Sequence, residues 1–293
     1  VDVKVVLPNG EVLGPDKPEL PTMHIQSEDF FVRLGNDLKI GLGEAFMAED
    51  FTATPDLADV LTPYAEKLLN IVPAWMRKFR RLFEPLHPKH EENNLEGSKS
   101  NISRHYDLSN DLFRLFLDET MMYSSANFAN ENPTWDNFAK AQIRKIEGIL
   151  DFAGVKPGMH ILEIGTGWGQ LAMQAAYRGA KVHSITLSKE QKALADERIL
   201  KAGLANLITV EIRDYRDLVG EYDAVVSVEM IEAVGEKYWP TYFDAVSKHL
   251  KSGGRFGLQA ITMPHDRLLA SKHAYTWIHK YIFPGGIIPS REV

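Results

Sequence analysis

The sequence has no cysteine in 293 residues, which excludes disulfide staples, thiolate catalysis and Cys-ligated metals, and fits a reducing compartment. No apolar run approaches the roughly 18–20 residues that a membrane-spanning helix needs. Val1 to Gly10 lacks the basic-then-apolar order of a signal peptide, and the missing initiator Met implies that Val1 is not the native start. A positive balance is also missing. Against 33 Lys+Arg stand 40 Asp+Glu, a net charge of −7, so the surface as a whole does not suit nucleic acid. No internal repeat is present. What remains is a globular composition, 44% hydrophobic and 25% charged, at a length that points to two domains in a cytoplasmic protein.

Residues 1–90 read as a small α+β domain. Val3, Val5 and Leu7 alternate before the turn Pro8-Asn9-Gly10, and Glu11-Val12-Leu13 follows, which predicts a β-hairpin. Gly35, Gly41 and Gly43 imply tight turns, and Asp56 to Leu61 opens a helix leading to Leu68, Leu69 and Ile71. Between Trp75 and Phe83 one helical face carries Trp75, Phe79, Leu82 and Phe83, with Arg77, Lys78, Arg80 and Arg81 largely elsewhere. Such a helix either touches a membrane surface or docks on its own domain. Residues 91–103, polar and rich in Gly, Ser and Asn, read as a linker.

From residue 104 to 293 strands and helices alternate. Ile143 to Ala153 is a helix, His160 to Ile164 a strand, and a glycine loop and helix run from Gly165 to Tyr177. Lys181 to Thr186, Ile208 to Ile212, Asp223 to Val228 and Arg255 to Ile261 are further strands, with helices at Lys189 to Ala202 and Tyr238 to Leu250 and a turn at Ser252-Gly253-Gly254. This alternation predicts a parallel sheet covered by helices, with ligands over the carboxyl ends of the strands.

Glu163-Ile164-Gly165-Thr166-Gly167-Trp168-Gly169 sits between a strand and a helix, where glycines let the backbone approach a nucleotide-like ligand. A dinucleotide site wants GxGxxG and an acidic residue about 20 positions on. Here the spacing is GxGxG, the second strand ends in Ser184-Ile185-Thr186-Leu187-Ser188 without a carboxylate, and Glu163 precedes the loop. That favours a non-phosphorylated nucleoside such as S-adenosylmethionine, whose sulfonium is repelled by cations. Asp214 is placed to hold the adenine end, and Tyr215 offers an aromatic face.

His105-Tyr106-Asp107-Leu108-Ser109-Asn110-Asp111, Met122-Tyr123-Ser124-Ser125, the Glu163 to Gly169 loop, Thr186 to Gln191 and Tyr281-Ile282-Phe283-Pro284-Gly285-Gly286 together resemble the cyclopropane-fatty-acyl-phospholipid synthase family. Gly41 to Met47 is similar to the amino-terminal domain of full-length members. The resemblance implies an α/β fold: a Rossmann-like class I methyltransferase domain over 104–293 behind a small lipid- or membrane-associated α+β domain. Its expected cofactor contacts are Tyr123, Ser124, Glu163, Gly165, Thr166, Gly167, Gly169, Thr186, Gln191, Asp214 and Tyr215. Each has a plainer structural alternative, such as strand filling for Thr186 or a first-turn helix position for Gln191.

The reaction implied is methyl transfer from S-adenosylmethionine to the double bond of an unsaturated phospholipid acyl chain, leaving a carbocation that must lose a proton. A strong protein base beside the sulfonium risks being methylated, and the resemblance implies a bound bicarbonate instead, held by Ser125, Glu232, Gln259 and Ile261. Ser125 and Gln259 replace the family's Cys and His, and Ala233 follows Glu232 where a His is familiar. Ser and Gln still donate hydrogen bonds to an oxyanion. The product stays open between a cyclopropane and a methylene or methyl branch. For Glu232 the plainer alternative is a helix-cap carboxylate. His105 either orders the segment over the cofactor or is structural, and Tyr275, Trp277, Ile278, Tyr281, Ile282 and Phe283 are expected to line an acyl-chain tunnel.

The expected partners are membrane phospholipid, met peripherally with Arg77 to Arg81 facing anionic lipid, and a second copy in a homodimer, with no metal and no nucleic acid. A sheet of this type ends in an antiparallel hairpin that the sequence up to Val293 lacks, so the catalytic domain is expected to be incomplete. Two other readings stay open, a small-molecule methyltransferase of the same fold and a lipid-binding protein with a degenerate site.

Overall fold

The structure, a computed structural model, describes residues 1–71, 88, 91–95, 97, 98, 101 and 109–293. The helix expected around Arg77 to Arg81 and the His105 to Leu108 start of the first motif lie outside the described residues. The chain divides into two compact units, Val1–His87 with His273–Ile282, and Pro88–Lys272 with Phe283–Val293.

In the first unit β1 (Lys4–Val6), β2 (Val12–Leu13), β3 (Thr22–Ile25) and β4 (Phe51–Thr54) form a mixed sheet in the order β2-β1-β3-β4. The β1–β2 hairpin forms as expected, with Gly10 at φ 86° and Asn9 Oδ1 accepting from the Glu11 N–H at 2.9 Å. Helices α1 (Asp29–Asn36), α2 (Leu38–Met47) and α3 (Leu57–Ile71) complete the unit. Asp37 caps α2 by accepting from the Lys39 and Ile40 N–H groups. Val3, Met23, Ile25, Phe30, Ala45, Phe51 and Val60 are the core.

Gly35, Gly41 and Gly43 do not make the expected turns; they lie inside α1 and α2. Two of them serve close approach. A Cβ on Gly41 would stand 2.1 Å from the Arg33 carbonyl oxygen, and one on Gly43 2.4 Å from the Trp277 indole. Residues 273–282 thus pack as part of this unit, with Lys280 and Tyr281 both donating to Glu44 Oε1.

The second unit opens with α4 (Asn110–Arg114) and α5 (Trp135–Phe152). It continues β5 (His160–Ile164), α6 (Gln170–Tyr177), β6 (Lys181–Thr186), α7 (Lys189–Lys201), β7 (Ile208–Ile212), β8 (Tyr222–Val228), α8 (Ile231–Val234), α9 (Trp239–His249), β9 (Leu250–Gln259) and α10 (His265–Ser271). Its five strands are all parallel, in the order β7-β6-β5-β8-β9. The central strand β5 is buried on both faces. Ile161 joins Ile146, Leu150, Leu171 and Ala175 on one side, and Leu162 and Ile164 join Trp239, Tyr242 and Val246 on the other. With both faces covered, a ligand can reach this sheet only at the strand ends. The Ser252-Gly253-Gly254 turn lies within β9, where the pairing with β8 slips between Tyr222 and Ala224.

The polar stretch expected to be a linker is, where described, tied into the second unit. Asn101 donates to Glu91 O and Asn93 Oδ1, both at 2.9 Å, and Asn93 donates to Gly285 O at 2.9 Å; all three side chains are buried. Asparagine is polar here because it closes hydrogen bonds inside the protein. Among the described residues no helix is long and apolar enough to cross a membrane.

Ile161 has no exposed surface at the centre of the sheet. Ile161→Ala is expected to lower the free energy of unfolding by about 2–5 kcal/mol, read from urea denaturation followed by circular dichroism.

Candidate active site

The sheet order brings the ends of β5, β6 and β8 together, and the predicted cofactor residues gather there. Gly165, Gly167 and Gly169 have φ of 99°, 53° and 86°, values that favour glycine. The Gly165 and Thr166 N–H groups donate to Ile185 O, which ties the loop to β6. Trp168, buried, donates from its indole to Asn110 Oδ1 at 2.8 Å, and Arg198 donates to Trp168 O at 2.7 Å. At Gly169 a Cβ would crowd Ala195 at 3.2 Å, so that glycine serves helix packing. At Gly167 an added Cβ would meet nothing within 4 Å, so the bare backbone faces open space, a cradle suited to a nucleoside cofactor.

Beneath the loop Glu163 is 2% exposed. The Ser184 hydroxyl donates to its Oε2 at 2.5 Å and lies 2.7 Å from the Thr166 hydroxyl. Burial pushes the Glu163 carboxyl up to about 8, with the Ser184 hydrogen bond pulling the other way.

At the end of β6 the Thr186 hydroxyl donates to Gln191 Oε1 at 2.7 Å and accepts from the Ser188 N–H at 3.1 Å. Ser188 caps α7 by accepting from the Gln191 N–H. Gln191 is thereby oriented with its NH2 left to donate, suited to a ribose hydroxyl. Asp214 and Tyr215 follow β7. Asp214 is 3% exposed, and both its carboxylate oxygens receive the Arg216 guanidinium, which also reaches Asn93 O and Ser98 Oγ. Tyr215 is buried edge-on to Tyr242, and its hydroxyl is pushed up to about 12 by burial. In this arrangement Asp214 orders its own loop, and Tyr215 packs in the core.

On the facing segment, Tyr123 lies parallel to Phe283 at 6.5 Å and edge-on to Phe113 at 5.2 Å, an aromatic wall with Phe116 beside it. Phe283 is thus the member of the expected tunnel stretch that belongs to this unit. Ser124 Oγ accepts from Lys145 Nζ at 2.5 Å.

The four residues expected to hold bicarbonate gather at the ends of β8 and β9, and two of them, Ser125 and Gln259, meet a side chain outside the expected set, Glu229. Glu229 Oε1 accepts from the Ser125 main-chain N–H at 2.9 Å and from Gln259 Nε2 at 2.8 Å. The remaining Gln259 N–H points to Ser125 O at 3.3 Å, and the Ile261 N–H donates to Glu232 Oε1 at 2.5 Å. The Gln259 amide, the Ile261 N–H and the Ser125 main-chain N–H are therefore engaged by carboxylates of the chain, and the surroundings carry two acidic groups. These residues do not fit a further anion. Glu232 is half-buried, its Oε2 has no partner among the described residues, and burial first, then Glu229, raises its pKa. In the sequence Glu229 stands just past an apolar strand and three residues before Glu232, a position that a solvated carboxylate would share; in the fold its neighbour Met230 faces Gly165, at 3.5 Å from an added Cβ.

The profile of the mycolic acid cyclopropane synthetase family matches residues 93–293. The tuberculostearic acid methyltransferase of Mycobacterium tuberculosis is 46% identical over 99% of this chain and 69% of its own length. The cyclopropane-fatty-acyl-phospholipid synthase of Escherichia coli is 34% identical over 92% of this chain and 67% of its own. A mycolic acid cyclopropane synthase solved with SAH and CTAB superposes at a TM-score of 0.58, with 30% identity over 70% of this chain and 71% of that one.

Two outcomes follow for the cofactor end. Gly167→Ala costs about 1–2 kcal/mol for its left-handed φ, so it folds, and its methyl occupies the open cradle; S-adenosylmethionine affinity by titration calorimetry is expected to fall at least about tenfold. Wild-type affinity would sink the cradle reading. For Glu163 the raised pKa means the native state holds a proton that the unfolded chain releases above the ordinary carboxylate range. Stability is therefore expected to drop as pH rises from that range to about 8, and Glu163→Gln flattens this dependence in urea melts across the window.

Proposed function

The chain belongs to the mycolic acid cyclopropane synthetase family of S-adenosylmethionine-dependent fatty-acyl methyltransferases, and from that premise we propose that it methylates the double bond of an unsaturated phospholipid acyl chain, with Glu229 as the proton acceptor. The observation that carries this is the Glu229 carboxylate seated on the Ser125 N–H and Gln259 Nε2, in the place expected for bicarbonate.

S-adenosylmethionine, when bound, supplies an electrophilic methyl to one alkene carbon, leaving the neighbouring carbon of the acyl chain cationic. Its fit rests on the open face of Gly167, the oriented Gln191 amide and the Thr186 hydroxyl. The aromatic wall of Tyr123, Phe113, Phe116 and Phe283 excludes water and suits an aliphatic chain. A C–H bond next to a carbocation is strongly acidic, so a weak base suffices. Glu229 takes a proton from the new methyl group. The electron pair left behind either closes a three-membered ring onto the cationic carbon or, after a hydride shift along the chain, forms a methylene branch. Both outcomes need one base and no oxidant or reductant. The two N–H groups on Oε1 aim the carboxylate and reduce its nucleophilicity toward the sulfonium. Glu232, adjacent and raised in pKa, holds the Ile261 N–H and keeps the strand end in place. The substrate chain comes from a bilayer that the enzyme meets peripherally from the cytoplasm, and the cluster Arg77, Lys78, Arg80 and Arg81 supplies positive charge toward anionic lipid.

With methyl-labelled S-adenosylmethionine and vesicles of a monounsaturated phospholipid, label is expected in the acyl chain as a gain of one carbon by mass spectrometry. Chain fragmentation then separates ring from branch. Glu229→Gln is expected to cut turnover at least about 100-fold with cofactor binding retained, and depleting bicarbonate from the buffer to leave the wild-type rate unchanged. Label absent from lipid, despite demonstrated cofactor binding, would shift the reading to a small-molecule methyltransferase.

A further inference from the structure

Part of the polar stretch before α4 closes hydrogen bonds around one tight turn late in the chain. Phe283-Pro284-Gly285-Gly286 closes on itself through the Gly286 N–H, which donates to Phe283 O at 3.1 Å. Proline at the second position and a φ of 68° at Gly285 give the turn its type II form. The apex is pinned from outside. Asn93 Nδ2 donates to Gly285 O at 2.9 Å, while Asn93 Oδ1 accepts from Asn101 Nδ2 at 2.9 Å and Asn101 also reaches Glu91 O at 2.9 Å. Asn93 and Asn101 are each 5% exposed, so water competes little for these bonds. The contact is tight: a Cβ on Gly285 would stand 2.4 Å from Glu91 O and 2.8 Å from Asn93 Nδ2, and one on Gly235 3.1 Å from the same Nδ2.

The backbone that carries Asn93 is itself held. Asn93 O accepts from Arg216 at 3.1 Å and from the Ser98 hydroxyl at 3.0 Å, and Arg216 grips both Asp214 oxygens. Beyond the turn the chain is tied to α8, where the Ile287 N–H donates to Glu232 O at 2.8 Å. Phe283, the first residue of the turn, lies parallel to Tyr123 at 6.5 Å. With 41% of its surface exposed, Phe283 is placed by the backbone beneath it rather than by a closed core.

We propose that Asn93 is a positioning residue for the acyl chain: by pinning Gly285 O it sets the turn that presents Phe283 to Tyr123, and so fixes the spacing of the aromatic wall along which the substrate lies. This rests on that wall being the acyl-chain surface. The side chain must donate to one oxygen and accept from another amide at once, which an amide of this length does and a carboxylate does not. Aspartate keeps the shape and the acceptor for Asn101 but turns an oxygen toward Gly285 O, so the bond that pins the turn becomes a repulsion. The cofactor end keeps its contact, because Arg216 binds the main-chain oxygen of Asn93 and not its side chain.

The test is a double-mutant cycle in the full chain, with Asn93→Asp, Phe283→Ala and the two together, on S-adenosylmethionine and monounsaturated phospholipid vesicles. Asn93→Asp is expected to raise the KM for lipid at least about fivefold, with kcat at saturating lipid and cofactor affinity by calorimetry within about threefold of wild type. A smaller folded fraction lowers the rate without moving KM, so the split separates positioning from stability. Phe283→Ala raises the lipid KM at least about tenfold, and the double variant stays within about twofold of Phe283→Ala, because a displaced turn then has no ring to misplace. Wild-type lipid KM in Asn93→Asp, or effects of the two substitutions that multiply, would overturn the proposal. If Asn93→Asp does not fold, Asn101→Ser, which removes the donor to Asn93 Oδ1, replaces it in the cycle and is read the same way. Wild-type lipid KM in Phe283→Ala defeats the wall on which the proposal rests, whereas wild-type protein that puts no label into lipid defeats the function itself.

Discussion

One carboxylate oxygen, Glu229 Oε1, gathers the chemistry of the second unit. It receives an N–H from Ser125, far earlier in the chain, and one from Gln259 at the end of the neighbouring strand. Glu229 itself has a φ of 48°, a left-handed conformation that non-glycine residues adopt at a cost. Its main-chain N–H donates to Gln259 O at 2.8 Å, so backbone and side chain bind the same partner and hold the unfavourable turn in place. The parallel pairing of β8 with β9 makes this possible, because it ends both strands on the same side of the sheet.

Three carboxyl groups stand at this edge of the sheet, and their surroundings divide them. Glu163 is sealed under the glycine loop among hydroxyls, so burial holds it toward its neutral form. Glu232 is half-buried and shifted the same way. Glu229 accepts two N–H groups on one oxygen, from Ser125 and from Gln259. Burial thus acts on Glu163 and Glu232, whereas hydrogen-bond donors orient Glu229. A positively charged cofactor is drawn to the same edge without a strong base beside it.

Much of this was legible in the sequence. Strand and helix alternation predicted the five parallel strands, the glycine spacing predicted the loop after β5, and the resemblance pointed to Thr186 and Gln191, which meet each other at the end of β6, because such features are local to one loop or one helix cap. Glu229 was not legible. Nothing in its own neighbourhood distinguishes it from a solvated carboxylate after a strand, and its role appears only when the fold brings Ser125 and Gln259 to it. The same holds for Lys145, which reads as an ordinary polar position on an amphipathic helix until its face is seen to be buried. Asn93 and Asn101 were misleading for the opposite reason: composition says solvated linker, whereas their amides close internal hydrogen bonds. Gly41 and Gly43 suggested turns because glycine often marks them, yet here the missing Cβ admits a neighbouring carbonyl and an indole.

The partition of the chain into Val1–His87 with His273–Ile282 and Pro88–Lys272 with Phe283–Val293 means that the polypeptide passes from one body to the other three times. Neither body is a continuous stretch, so this is not an arrangement of beads on a string. Exchanging the leading portion for that of a relative would strand the returning segment against a foreign surface, with Trp277 facing whatever replaced Gly43. Recombination among such proteins must therefore carry both pieces together, and residues widely separated in sequence are bound to change in concert.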